Sequence, residues 1–161
     1  MISEQAIWQL LEEVKDPEVP VLSVVDLGII RSVHTEGERI ELVITPTYSG
    51  CPAMDTIRMD IRLKLLEKGF REVDIKQSLS PAWTTDWMTE GGRQKLEAYG
   101  IAAPLPRQQF CSSDLFHEEA VSCPRCKSYH TELISQFGST ACKSLYRCLD
   151  CHEPFDYFKC H

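Results

Sequence analysis

The chain has 161 residues, 43% hydrophobic and 25% charged, which excludes a disordered or fibrous protein and allows one sound core plus a small appendage. A formal charge of −7 excludes the basic surface of a nucleic-acid reader: residues 1–122 hold 12 Lys/Arg against 20 Asp/Glu, and residues 123–161 hold 5 against 4. No apolar run is long enough to cross a bilayer, and Met1-Ile2-Ser3-Glu4-Gln5 lacks the basic-then-apolar layout of a secretory leader, so a cytoplasmic protein with protein partners, some carrying basic patches, is expected.

Ile7, Leu10, Leu11 and Val14 fall at i, i+3, i+4 and i+7. This predicts an amphipathic helix over 3–15, capped by Ser3 and stopped by Asp16-Pro17. Pro17 and Pro20 forbid a continued helix, so Glu18 to Ser23 is expected to be extended. Leu27, Ile29, Arg31 and Val33 alternate with their neighbours and predict a strand running to the turn at Glu36-Gly37-Glu38. Ile40, Leu42 and Ile44 mark one buried face of the return strand, which ends at Thr45. His34, near the turn, reads as a solvated hairpin residue.

At Thr45-Pro46-Thr47-Tyr48-Ser49-Gly50-Cys51-Pro52 the alternation gives way to a helical pattern. Gly50 lets the chain bend, Pro52 fits the first helical position, and Cys51 is thereby expected at the N-cap. There the unpaired N–H groups and the positive end of the helix dipole favour a thiolate. Cys51 is a candidate reactive or metal-contacting thiol, with a buried structural cysteine as the competing reading. Met54, Ile57, Ile61 and Leu65 predict the core face of this helix, its methionines serving as core filler, and Gly69 its end. Val73 and Ile75 predict a third strand reached by a right-handed crossover. Trp83 and Trp87 are either a lid on the core or an exposed partner patch. Thr89 to Tyr99 predicts a last helix, ended by Gly100.

The resulting order, αββαβα, is an α+β domain over residues 1–100, a small mixed sheet with packed helices. Residues 101–122 read as a linker stiffened by Pro104 and Pro106. Residues 123–161 carry Cys123-Pro124-Arg125-Cys126 and Cys148-Leu149-Asp150-Cys151, two C-x-x-C knuckles that together predict a closed site of four thiolates in a zinc ribbon. Zinc is the favoured ion, and iron in a rubredoxin-like site satisfies the same ligand set. Strands are expected at 131–137 and 145–147, with Phe155, Tyr157 and Phe158 covering them. Cys111, Cys142 and Cys160 lie outside the quartet, near His130, His152 and His161; Cys142 and Cys160 are either buried thiols or a transient second site. There is no H-E-x-x-H, no glycine-rich phosphate loop and no G-x-S-x-G, hence no self-sufficient catalytic centre.

Asp16-Pro17-Glu18-Val19-Pro20, Ser23-Val24-Val25-Asp26-Leu27-Gly28-Ile29-Ile30 and Thr45-x-Thr47-x-x-Gly50-Cys51-Pro52 together resemble the domain shared by SufT and the eukaryotic cytosolic iron-sulfur assembly factors. The resemblance covers roughly residues 1–100 and implies a part in maturing iron-sulfur proteins. The motif cysteine of that family matches Cys51 and its motif aspartate matches Asp26. With Phe137-Gly138-Ser139-Thr140-Ala141-Cys142-Lys143 and Phe155-Asp156-Tyr157-Phe158-Lys159-Cys160, the full length resembles the D-subunit family of the bacterial phenylacetyl-CoA epoxidase system. That system is a multicomponent di-iron monooxygenase with a flavin and iron-sulfur reductase, used in aerobic phenylacetate degradation. The resemblance implies an accessory maturation or assembly factor, not itself catalytic, serving the iron-sulfur or di-iron centre of the oxygenase or reductase subunits. Cys51, beside Asp26, would contact iron or a cluster transiently, while the metal-bound ribbon fixes a docking surface. A non-catalytic structural subunit of the oxygenase complex is the alternative. A thiol redox enzyme ranks last, because Cys51 has no resolving cysteine. Neither nucleic acid nor membrane is an expected partner, and a homodimer is compatible with the sequence.

Overall fold

The structure, a computed structural model, describes residues 2–48, 50–103 and 121–158. Cys111, Cys160, His161 and most of the expected linker lie outside these residues. The chain divides into two units, Met1–Thr89 and Glu90–His161, and no helix among the described residues is long and apolar enough to cross a membrane.

The first unit opens with α1 (Glu4–Leu11), whose first turn is capped by the Ser3 hydroxyl oxygen accepting the Ala6 N–H at 3.2 Å. The helix ends a turn before the expected Lys15, yet Val14 still reaches the core, because Glu13 and Val14 continue as a tight turn on the Leu10 and Leu11 carbonyls. β1 (Ile30–Glu36) and β2 (Arg39–Ile44) form an antiparallel hairpin over the two-residue loop Gly37-Glu38, and β3 (Glu72–Gln77) adds to β2 in parallel. The mixed sheet order is therefore β1-β2-β3. Ile40, Leu42 and Ile44 on the central strand are fully buried, as their alternation predicts.

α2 (Ala53–Glu67) connects β2 to β3 and buries Met54, Ile57, Ile61 and Leu65; each such aliphatic side chain contributes roughly 1.5–3 kcal/mol. Gly69, at φ +102°, follows its end. One expectation fails here: Met54 is core filler, but Met59 is 56% exposed, because its helical phase places it outside the buried stripe.

The stretch expected to be extended between Glu18 and Ser23 is instead folded back on itself. The prolines exclude helix, but the Asp16 carboxylate accepts the N–H groups of Glu18 (2.7 Å) and Val19 (3.2 Å), and the Asp16 N–H donates to the Leu22 carbonyl (2.9 Å). The next strand also starts later than its alternation implies, because residues 24–28 form a turn. Gly28 sits at φ +70°, and a Cβ there would lie 2.2 Å from the Trp87 carbonyl oxygen. A short 3-10 turn, Thr85–Trp87, thus packs directly on this turn. Trp83 is 4% exposed and donates its indole N–H to the Leu27 carbonyl at 2.7 Å, so of the two readings for the tryptophans the core lid holds for Trp83. Trp87 is half-buried beneath the Arg31 guanidinium, 3.6 Å from its ring centroid.

The second unit contains α3 (Glu90–Ala98) and a four-stranded sheet ordered β4-β7-β6-β5, from β4 (Ile101–Ala102), β5 (Thr131–Ser135), β6 (Lys143–Cys148) and β7 (Pro154–Phe158). Ile101 and Ala102 pair in parallel with Asp156 and Tyr157. The second unit thus begins at Glu90, and Ile101 and Ala102, at the start of the expected linker, belong to its sheet.

The two kinds of glycine constraint separate cleanly in a stability measurement. Gly28→Ala adds left-handed strain and a backbone clash, and should cost at least about 2 kcal/mol in urea unfolding. Gly37→Ala, at φ +62° with open space around it, carries the strain alone and should cost about 1 kcal/mol. Equal losses would contradict the close approach at Trp87.

Candidate thiol and metal sites

In the first unit, Gly50 at φ +78° turns the chain into α2 as expected, but the N-cap is Pro52 and Cys51 precedes it by one residue. The sulfur nevertheless meets the helix mouth, for it accepts the Ala53 backbone N–H and is hydrogen-bonded by the Tyr48 side chain. The expectation of a favoured thiolate is overturned. Burial is the largest influence and pushes the Cys51 thiol above its ordinary pKa; the Ala53 N–H and Tyr48 pull it down, and the nearby carboxylates of Glu18 and Asp16 push it up again. Cys51 is half-buried, a protonated thiol at neutral pH with two acidic groups in its field.

Sequence reasoning misses those two acids as site residues. The signal is present, since both belong to the Asp16-Pro17-Glu18 block, but only the folded-back loop brings them within electrostatic range of Cys51. Asp26 is placed differently. Its Oδ2 accepts the Ser23 N–H (3.0 Å) while its own N–H donates to the Ser23 hydroxyl oxygen (3.0 Å), a reciprocal box. Its Oδ1 accepts the Thr89 hydroxyl (3.4 Å) and its carbonyl accepts the Thr89 N–H (2.8 Å). These contacts make Asp26 a fastener of the 23–28 turn.

In the second unit, the two knuckles curl by the same device. The residue after the second cysteine of each, Lys127 and His152, adopts φ +63°. Cys123 and Cys148 are buried, Cys151 is half-buried and Cys126 exposed. Their four Sγ atoms all lie within 4.8 Å of one another, with Cys123–Cys151 at 3.7 Å and Cys126–Cys148 at 3.5 Å. A tetrahedral zinc with bonds of about 2.3 Å requires sulfurs about 3.8 Å apart, so the donor set fits the ion. Backbone N–H groups supply the complementary polarity: that of Cys151 reaches the Cys148 sulfur at 3.4 Å and is the main cause of a Cys148 pKa lowered to about 7. Beyond the sulfurs, Asp150 of the second knuckle receives Ser128 and His130, and Arg125 of the first pairs with Glu153 at 2.8 Å. When bound, zinc would cross-link the knuckles without contributing redox chemistry.

Cys123 and Cys148 also belong to a small core with Ala102, Val121, Phe155 and Tyr157. Tyr146 stacks on Phe155 and meets Tyr157 edge-on. Phe158 is 2% exposed, so all three expected covering aromatics are buried. Cys142 is buried with its sulfur 2.9 Å from the Thr140 hydroxyl; its suggested companion Cys160 lies outside the described residues. His34 is exposed on β1, as expected of a hairpin residue.

Comparison with known proteins divides the chain similarly. Residues 4–75 match the family model described as iron-sulfur cluster assembly protein, and residues 107–159 match that of the PaaD zinc beta ribbon domain. The chain is 53% identical, over 96% of its length and 91% of the relative's, to the putative D-subunit of 1,2-phenylacetyl-CoA epoxidase of Escherichia coli K12. It is 38% identical, over 55% of its length and 85% of the relative's, to an Fe-S protein maturation auxiliary factor of Porphyromonas gingivalis. Among solved structures, a DUF59 domain from Bacillus anthracis aligns with a TM-score of 0.54 at 25% identity, covering 58% of this chain and 90% of that one. A conserved hypothetical protein of Thermotoga maritima aligns at 0.51 and 24% identity, covering 59% and 94%, a likeness of fold.

Two measurements check these sites. The purified protein should be colourless and hold one zinc per chain, lost in Cys148→Ser; sulfur-to-iron absorption bands would contradict zinc in the ribbon. With zinc protecting the quartet, the rate of Cys51 alkylation, followed by peptide mass spectrometry, should still be rising at about pH 9, because the thiol ionises above the usual cysteine range. A plateau below about pH 8 would contradict the raised pKa.

Proposed function

We propose, on the premise that this chain belongs to the D-subunit family of the phenylacetyl-CoA epoxidase system, that it is an accessory maturation factor of that system, carrying iron or an iron-sulfur cluster to an oxygenase or reductase partner. The reading is supported by the iron-sulfur assembly match over residues 4–75 and by the maturation-factor relative. The observation that carries it is the Cys51 thiol at the mouth of α2, hydrogen-bonded from Ala53 and Tyr48 and lying in the field of Glu18 and Asp16.

The cargo is the substrate here, and the step is a ligand exchange. As the sulfur takes iron, its proton leaves to a carboxylate of Glu18 or Asp16, or to water; no electron moves, and release to the partner reverses the step. A thiol protonated at rest holds cargo less firmly than a permanent thiolate does, which suits transfer. Asp26 serves as a positioning group that fastens its turn, and the zinc ribbon serves as a rigid platform for docking. Acidic groups beside Cys51 also suit a cationic cargo.

Cys51→Ser should lower the iron content of the partner's cofactor at least about five-fold in cells that depend on this protein, with the zinc content of the chain unchanged. Normal cofactor content and epoxidase activity in that variant would defeat the proposal. They would favour a structural subunit, particularly if the chain co-purified with the active oxygenase at fixed stoichiometry.

A further inference from the structure

The outer side of α2 carries large apolar side chains that are open to solvent. Met59, Leu63 and Leu66 are 56%, 50% and 44% exposed, and their spacing of i, i+4 and i+7 aligns them in one stripe. Along one border of that stripe lie Arg58 and Arg62, again four apart. Their condition is unusual for this protein. Arg39, Arg71, Arg125 and Arg147 each pair with a glutamate, Arg31 covers Trp87, and Arg93 has a partner. Among the described residues, Arg58 and Arg62 are the arginines without one. Moreover, the Arg58 Nε is buried and has no hydrogen-bond acceptor. The protein itself covers that atom, so the terminal nitrogens of Arg58 are the ones a partner can reach.

We infer that this face of α2 docks an acidic, amphipathic segment of a partner protein, its carboxylates on Arg58 and Arg62 and its apolar side chains on Met59, Leu63 and Leu66. A carboxylate matches the terminal nitrogens of a guanidinium fork through two parallel hydrogen bonds. The adjoining apolar stripe selects a protein helix over a nucleic acid, which offers phosphates but little to cover Leu63, and two cations in a chain of charge −7 give a polyanion little purchase. Cys51 immediately precedes the N-cap of α2, so the docked segment lies along the helix that opens at the thiol. The identification of the partner as a cofactor-accepting subunit rests on the proposed function; the docking surface itself does not.

The test uses the full-length zinc-loaded chain and, as probes, the purified oxygenase and reductase components of the epoxidase system, with affinity measured at low and high salt. Wild-type binding to one component should weaken with salt. Arg58→Gln with Arg62→Gln should weaken it at least about ten-fold, Leu63→Lys likewise, and Lys68→Gln, a cation beyond the helix, less than about two-fold, all with normal zinc content and helicity. The inference is overturned if both α2 variants bind as wild type, if neither component binds the wild type, if an oligonucleotide competes equally well, or if Leu63→Lys abolishes only self-association. Cys51→Ser separates the two proposals. Lost partner cofactor in that variant, with binding insensitive to the arginines, removes the docking alone; normal cofactor, with binding sensitive to them, removes the thiol reading alone.

Discussion

The first unit depends on one close approach, the backbone of Gly28 against the carbonyl of Trp87. Only a residue without Cβ can occupy that point, and its left-handed φ closes the turn that carries Asp26. From it follow the indole hydrogen bond of Trp83 to Leu27, the fastening of Asp26 to Thr89, and the packing of Arg31 on Trp87. Arg31 reaches Trp87 where the β1–β2 register shifts between Ile30 and Ser32, a bulge that re-aims one side chain. The segment after β3 is thereby sewn to the segment before β1, although their partners stand 56 and 63 residues apart in sequence.

At Cys51 two effects of similar kind compete. A helix mouth stabilises negative charge through its unpaired N–H groups, and the Ala53 N–H does act on the sulfur. Burial opposes ionisation more strongly, and the loop closed by Asp16 adds two carboxylates that repel a thiolate. Helix position alone therefore mispredicts the protonation state. Spacing is a local signal, while the carboxylates arrive from a loop more than thirty residues earlier.

Much of the architecture is legible because it is written in short-range periodicity. The buried faces of β2 and α2, the glycines that end turns, and the paired knuckles each depend on residues within a few positions of one another. The rest depends on distant or compensating contacts. The fold-back of residues 16–23 needs a side-chain acceptor that mimics backbone, so the prolines alone suggest an extended chain. The place of Ile101 and Ala102 in the ribbon sheet needs Asp156 and Tyr157, more than fifty residues on. Met59 misleads because methionine is apolar without being committed to a core, and its helical phase, which points away from Ile57 and Ile61, is the better guide.

The two sulfur sites differ in coordinative completeness. Four mutually close thiols saturate a tetrahedral ion, and the knuckles are further tied by Arg125–Glu153 and by Asp150. Such a site has no open position, which suits a structural ion. Cys51 offers one sulfur in the field of two carboxylates, which are harder ligands. An iron held there would have to complete its coordination from the carboxylates, from solvent or from the acceptor protein, and the last of these makes transfer a direct hand-over. On the proposed reading, a face that binds the acceptor is thus a chemical requirement of a single-thiol carrier, and the unpaired arginines beside an exposed apolar stripe on α2 are where the first unit offers one.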